Sequence, residues 1–361
     1  MIKASAPGKL FIAGEYAVVT HNHPAILIAV NQFITVTLEE AEDEGTIHSS
    51  LNGGLPIPWT RQEGKLSIDE RENPFIYITQ AVKITEQYIQ EQGKELVYFH
   101  LSVESELDNS HGKKYGLGSS GAVTVATIKA LLQFYALPSS NELVYKLAAL
   151  AHLSVNSNGS FGDIAASSYT GWIAYSCFDR NWVLTQKETQ SISQLVNLAW
   201  PGLMIRRLNP SRKLRLLIGW TGSPASTTHL VDKVNHKRSG LNEFFPQFLT
   251  QSKRYVNELI DAFDHDHLSA IKTGIRSNRQ LLNELAEQTG VLIETKLLTK
   301  LIQIAEQFGG AAKSSGAGGG DCGIVLIEQD ANITDLLHQW QEAGIQHLDL
   351  QVYQEDQEEK E

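Results

Sequence analysis

Short apolar runs open the chain. Residues 2–6, 10–13, 25–30 and 33–38 read as strands, the last rich in β-branched and aromatic side chains. A stretch with Gly53, Gly54, Pro56, Pro58 and Gly64 reads as loop. From 75 to 91 the spacing of Ile78, Ala81, Val82 and Tyr88 predicts a helix, and Val97, Phe99, Leu101 and Val103 alternate as in a half-buried strand. Helices are expected over 122–135, stopped near Pro138, and from about Asn141 to Ser154 behind an Asn or Ser cap. The polar segment 156–163 is a loop, a short helix opens from Asp163, and 172–177 is a strand.

Residues 178–213 lack periodicity and carry the turn signals Trp200-Pro201-Gly202 and Asn209-Pro210-Ser211, whereas 214–220 read as a buried strand. The domain boundary is placed there, giving units 1–210 and 211–361. Beyond it the pattern predicts mostly helix over 227–308, a loop over 313–321, a strand over 323–327, a helix over 334–343 and a last strand near 347–352. The order of β and α segments in both units is that of an α+β protein.

Composition narrows the function. With 42% hydrophobic and 20% charged residues in 361, the chain is globular, and no apolar run reaches the ~18 residues of a membrane span. A formal charge of −11 argues against a nucleic-acid partner. Two isolated cysteines, Cys177 and Cys322, suggest neither a disulfide framework nor a cysteine zinc site, and a cytoplasmic location without membrane contact is expected. On this acidic background, lysines beside glycine-rich segments (Lys9, Lys113, Lys114, Lys313) point to an anionic ligand.

Gly116-Leu117-Gly118-Ser119-Ser120-Gly121 has the GxGxxG spelling of a dinucleotide fingerprint, but the segment before it is polar and a second helix, not a strand, follows the first. What remains is a loop that lets backbone N–H groups approach an oxyanion at a helix start. One of Ser119 and Ser120 is expected to cap that helix while the other reaches phosphate or Mg2+. There is no GxxxxGK[ST] segment and no DFG or HRD segment, which removes the P-loop enzymes and the protein kinases.

Two further glycine-containing motifs flank this loop: Ala6-Pro7-Gly8-Lys9-Leu10-Phe11-Ile12-Ala13-Gly14-Glu15-Tyr16 and Lys313-Ser314-Ser315-Gly316-Ala317-Gly318-Gly319-Gly320-Asp321-Cys322. In this order the three resemble the GHMP small-molecule kinases over nearly the whole chain, and their spelling is most similar to the phosphomevalonate kinase branch. The resemblance implies a ribosomal S5 domain 2-like N-terminal domain and a ferredoxin-like C-terminal domain. It also implies ATP and Mg2+, with Lys113, Gly116, Leu117, Gly118, Ser119, Ser120 and Gly121 around the phosphates and Ser120 on the metal. Lys9 and Asp163 would face the transferred phosphoryl group, and Ser314, Ser315, Gly316, Ala317 and Gly318 would close the site from the second domain. Tyr16, Asn158, Ser160 and Trp220 are expected to contact the acceptor.

Lys113-Lys114 add positive charge that favours a phosphorylated small-molecule acceptor, so the expected reaction converts (R)-5-phosphomevalonate to 5-diphosphomevalonate. The alternatives are mevalonate kinase, another GHMP kinase acting on an alcohol, or a non-catalytic binding protein of the same fold. Monomer and homodimer stay equally open. Glu15 is read as a structural hydrogen-bond partner rather than a metal ligand, Cys322 as packing, and Asp264-His265-Asp266-His267 as a solvated linker rather than a metal cluster.

Overall fold

The computed structural model describes residues 1–49, 55–68, 75–108, 115–155, 158–222, 227–237 and 243–355. The first half contains β1 (Ile2–Ala13), β2 (Pro24–Ala41), β3 (Gly45–Ser49), β4 (Ile57–Gln62), β5 (Lys65–Ser67), α1 (Ile76–Glu91), β6 (Tyr98–Ser105), α2 (Ser119–Phe134), α3 (Asn141–Leu153), α4 (Gly162–Tyr169), β7 (Trp172–Ser176), α5 (Arg180–Lys187), α6 (Ile192–Asn197) and β8 (Met204–Leu208). The second half contains β9 (Leu214–Trp220), α7 (Thr227–Lys237), α8 (Phe244–Asp264), α9 (Leu268–Thr289), α10 (Lys296–Gln307), β10 (Ala311–Ser314), β11 (Cys322–Glu328), α11 (Thr334–Glu342) and β12 (Gln346–Leu348).

Strands β1 to β8 form one sheet in the order β5-β4-β3-β6-β2-β7-β8, with β1 paired to β2. Strands β9 to β12 form a second, antiparallel sheet in the order β10-β11-β9-β12, the ferredoxin-like arrangement. Helix α2 packs on β1 and β2 among α1, α3 and α4, and it is apolar nearly all round because it is covered on every side.

The four short strands expected at the start are two long ones. Strand β1 runs through Pro7 with a bulge between Pro7 and Gly8, where the ladder to β2 skips from Phe33 to Val30. A proline has no N–H for a ladder, so a bulge is where it fits inside a strand. Past the bulge the Lys9 N–H donates to Leu117 O at 2.8 Å, which ties β1 to the glycine loop.

Three regions read as irregular are ordered. The segment around Gly64 is the β4–β5 hairpin, with Glu63 and Gly64 both at positive φ (51° and 76°) as a two-residue primed turn requires. Within 178–213, Asp179 caps α5 by accepting from Trp182 N (3.1 Å), and Ser191 with Gln194 forms a capping box on α6. The start of the third motif, expected as loop, is β10, paired with β11 from Ala311 to Ser314.

Lys146 on α3 holds this second region in place. Its buried ammonium donates to Val196 O (2.9 Å) and Leu198 O (2.8 Å) at the C-terminal end of α6, and to Glu142 Oε1 (2.6 Å). Lys146→Met should strand both carbonyls and destabilise the fold by roughly 2–3 kcal/mol, read as a lower urea midpoint at unchanged slope. A midpoint equal to that of the parent protein would disprove the role.

Candidate active site

The first turn of α2 is left open. Its cap is Gly118, at φ 79° in the left-handed region, and no side chain caps the helix. The expectation that Ser119 or Ser120 caps is therefore corrected: both lie inside the first turn, downstream of a cap residue with no side chain. No side chain covers the helix N–H groups at this end by capping them, an arrangement that attracts anions. Ser120 is fixed through its carbonyl, which accepts from Thr124 Oγ1 (2.8 Å) and lies 3.3 Å from His152 Nε2. Burial lowers the His152 pKa and favours the neutral ring, with the nearby Asp163 charge opposing the shift.

Lys9 and Asp163 both flank Gly118. The Lys9 ammonium donates to Gly116 O at 3.3 Å. A Cβ on Gly118 would lie 2.9 Å from Lys9 Cε and 3.4 Å from Asp163 Cβ, and one on Gly121 would lie 2.8 Å from Asp163 Oδ2. Three glycines of the motif are thus explained by close approach, and Gly116 and Gly118 by positive φ as well, since a Cβ on Gly116 (φ 77°) would reach Asp321 Oδ2 at 2.5 Å. Asp163 does not cap α4. The cap is Phe161 at φ 57°, and the acid sits in the first helical turn.

The second sheet supplies the opposite wall. Lys313 on β10, wholly buried, forms an ion pair with Glu15. Burial lowers the lysine pKa, and Glu15 opposes that shift. Ser315 Oγ accepts from Phe11 N and donates to Phe11 O, both at 2.9 Å. Tyr16 donates to Ala317 O at 2.6 Å, and burial with the Glu15 charge pushes its phenol pKa well up. The Cys322 thiol donates to Tyr115 O (3.3 Å), and Trp220 meets the Tyr115 ring edge-on at 5.2 Å. Burial raises the thiol pKa, so Cys322 packs rather than reacts.

Beside the Glu15–Lys313 pair lies a largely apolar cavity, which neither Lys9, Asp163 nor the glycine loop lines. Tyr16, Asn158, Ser160, Gly316 and Ala317 line it, as does Glu15. Phe11, Val18, Val19, Val231 and Asp232 line it too and were not foreseen; the apolar pair after Tyr16 was the available signal. Four residues assigned to the acceptor wall lie elsewhere. Trp220 packs behind the glycine loop, Ser314 is buried in β10, the Ser315 hydroxyl is engaged on β1, and Gly318 (φ 73°) is pressed against Ile293 O. Lys113 and Lys114 lie outside the described residues. Asp264 pairs with Arg206 at 3.0 and 2.7 Å, and among the described residues no cluster of three or more His, Cys, Asp or Glu could hold a metal. No described helix is long and apolar enough to cross a membrane.

Comparison with known proteins gives the same picture. Residues 77–171 match the family model "GHMP kinases N terminal domain" and residues 259–346 match "GHMP kinases C terminal". The chain is 38% identical to a phosphomevalonate kinase of Streptomyces sp. (strain CL190), over 96% of this chain and 95% of that one. A Lin0012 protein from Listeria innocua superposes with a TM-score of 0.92 at 38% identity, covering 98% of each chain. Streptococcus pneumoniae phosphomevalonate kinase in complex with phosphomevalonate and AMPPNP superposes with a TM-score of 0.86 at 30% identity, over 98% of this chain and 100% of that one.

Proposed function

Because the chain belongs to the GHMP kinase family, we propose that it transfers the γ-phosphoryl group of ATP to the phosphate of (R)-5-phosphomevalonate, releasing ADP and 5-diphosphomevalonate. The observation that carries this reading is that Lys9 and Asp163 both flank Gly118, beside the uncapped start of α2.

In the reaction an acceptor phosphate oxygen attacks the γ-phosphorus as the bond to the β–γ bridging oxygen breaks. Such transfer needs alignment and charge neutralisation more than covalent help. The N–H groups opening α2 hold the ATP phosphates. The Lys9 ammonium lies between donor and acceptor phosphates and offsets the charge that would keep the two anions apart. Asp163 keeps Lys9 aimed; with an acceptor phosphate already largely dianionic at neutral pH, no obligatory base is required.

The residues present fit Mg2+ held mainly by ATP oxygens. The half-buried Ser120 sits in the first turn of α2, where its hydroxyl stands beside the phosphates that the helix start would hold. Ser120 would hold it, and the ion would supply further neutralisation of phosphate charge.

The test is ADP release with the two candidate acceptors in parallel. Phosphomevalonate should support turnover at least about 100-fold more efficiently than mevalonate, because only the former uses the charge-screening arrangement around Lys9. Preference for mevalonate would overturn the assignment.

A further inference from the structure

A second cavity, of about 410 Å3, opens where the two sheets part. Its volume lies within the roughly 300–1,000 Å3 of small-molecule sites. The chain that forms β12 leaves β9 after Leu348 and crosses to the first sheet, where Val352 bridges Val30. Strand β12 therefore covers β9 only from Ile218 to Trp220, while β11 covers the other side of β9 from Leu214 onward. Residues 214–217 of β9 all line the cavity, as do residues 349–352 of the departing segment and Trp172 of the first sheet.

Side chains alternate between faces along a strand, so four consecutive residues share a cavity only where it runs along the strand's edge. Because β11 occupies one edge of β9, the cavity runs along the edge that β12 leaves. An open strand edge presents backbone N–H and C=O groups without ladder partners. Arg215 stands on this edge. It is half-buried, has no hydrogen-bond or ion-pair partner among the described residues, and keeps its guanidinium nitrogens accessible.

The other titratable groups on the cavity are His347 and Asp349. Burial lowers the His347 pKa and favours the neutral ring, with the Asp349 charge opposing the shift. One guanidinium and one exposed carboxylate leave the wall close to neutral. A monoanion balances Arg215 there, whereas a dianion would meet Asp349 with charge to spare. Trp172, Leu216 and Leu350 supply apolar surface for the rest of a ligand.

We propose that this cavity binds a small organic monocarboxylate, its carboxylate on Arg215 and the open edge of β9, its apolar body against Trp172, Leu216 and Leu350. A carboxylate matches the planar fork of a guanidinium. The cavity shares no residue with the one beside Glu15, and neither Lys9 nor Asp163 lines it, so binding there is independent of the phosphoryl transfer proposed above. A ligand so placed touches both sheets at once.

Octanoate, titrated into the full chain by isothermal calorimetry, tests the site, with 1-octanol and octyl phosphate in parallel at about pH 8, where the phosphate is dianionic. Octanoate should bind the parent protein at least about tenfold more tightly than either of the others. Arg215→Gln should weaken octanoate by about 10- to 100-fold, the range for hydrogen bonds to a charged group, and leave octanol within about twofold. Arg212 is exposed and does not line the cavity, so Arg212→Gln should leave octanoate within about twofold. Should Arg215→Gln not fold, the ratio of octanoate to octanol affinity in the parent protein reads the same point. Five results would each overturn the site as proposed: no binding at millimolar octanoate, equal affinity for octanoate and octanol, unchanged octanoate affinity in folded Arg215→Gln, equal losses in the two arginine variants, or tighter binding of octyl phosphate.

Discussion

Lys9→Met should lower kcat by roughly 10²- to 10³-fold while leaving KM for ATP within a few fold, because the ammonium acts on charge that develops during transfer rather than on ATP binding. The substitution suits the site sterically. Lys9 is 9% exposed with its stem running along Gly118, so an unbranched apolar chain can occupy the same path. Asp163→Asn should cost less, about 10- to 100-fold, since the amide keeps the shape and loses only the charge that aims Lys9. The two effects should not add, because both variants disable one pair of groups. Steady-state kinetics of the two single variants and the double variant check this. Near-normal turnover in Lys9→Met with loss of activity in Asp163→Asn would reverse the roles.

The second large effect comes from a single methyl group. Gly118→Ala places a Cβ at φ 79°, 2.9 Å from Lys9 Cε and 3.0 Å from Lys9 Cγ. The left-handed backbone costs an alanine about 1–2 kcal/mol, and relief of the contact must move the lysine off its aim. Gly93 isolates the first contribution, since it has nearly the same φ (77°) with no atom within 4 Å of an added Cβ. Both alanine variants should lose similar stability in thermal unfolding. Only Gly118→Ala should lose activity, by about 100-fold or more. Activity in Gly118→Ala within threefold of Gly93→Ala would mean that Lys9 does not need the space Gly118 leaves.

Much of this arrangement is legible in the residues, and the limits have physical causes. The 214–220 strand and the helix after Gly121 follow from long apolar patterns that local rules read well. The hairpin turning at Glu63-Gly64 and the capping box at Ser191 and Gln194 were also written locally, in turn and cap chemistry that the glycines and prolines around them masked. The merger of the first strands is different. A strand that runs through Pro7 is acceptable only because β2 lets the ladder skip at that point, a partner property that no window around Pro7 contains.

The site divides in the same way. The approach of Lys9 and Asp163 through Gly118 concerns residues named from motifs, and the fold brings them together. Ser314 and Ser315 stand beside the cavity residues Gly316 and Ala317 in sequence but turn away from the cavity, Ser314 buried at the end of β10 and Ser315 bonded to the Phe11 backbone, while Trp220 packs on Tyr115; these are long-range contacts that no local pattern contains. Glu15 as a structural partner was readable; that its partner would be Lys313, about three hundred positions later, was not.

The strand ladder on β2 continues beyond the first half. Val352 bridges to Val30, Tyr353 N donates to Ala29 O, and Gly171 N donates to Tyr353 O. Residues 351–353 therefore lie as a strap on the sheet that carries Lys9, while Gly316 and Ala317 line the cavity beside it. During synthesis, residues 1–210 leave the ribosome with the Lys9 strand, the glycine loop and Asp163 all made, but with a carboxylate at position 15 lacking its cation and a sheet lacking its strap. The groups proposed to handle phosphate are encoded early. The enclosure that restricts what it can act on arrives more than a hundred residues later.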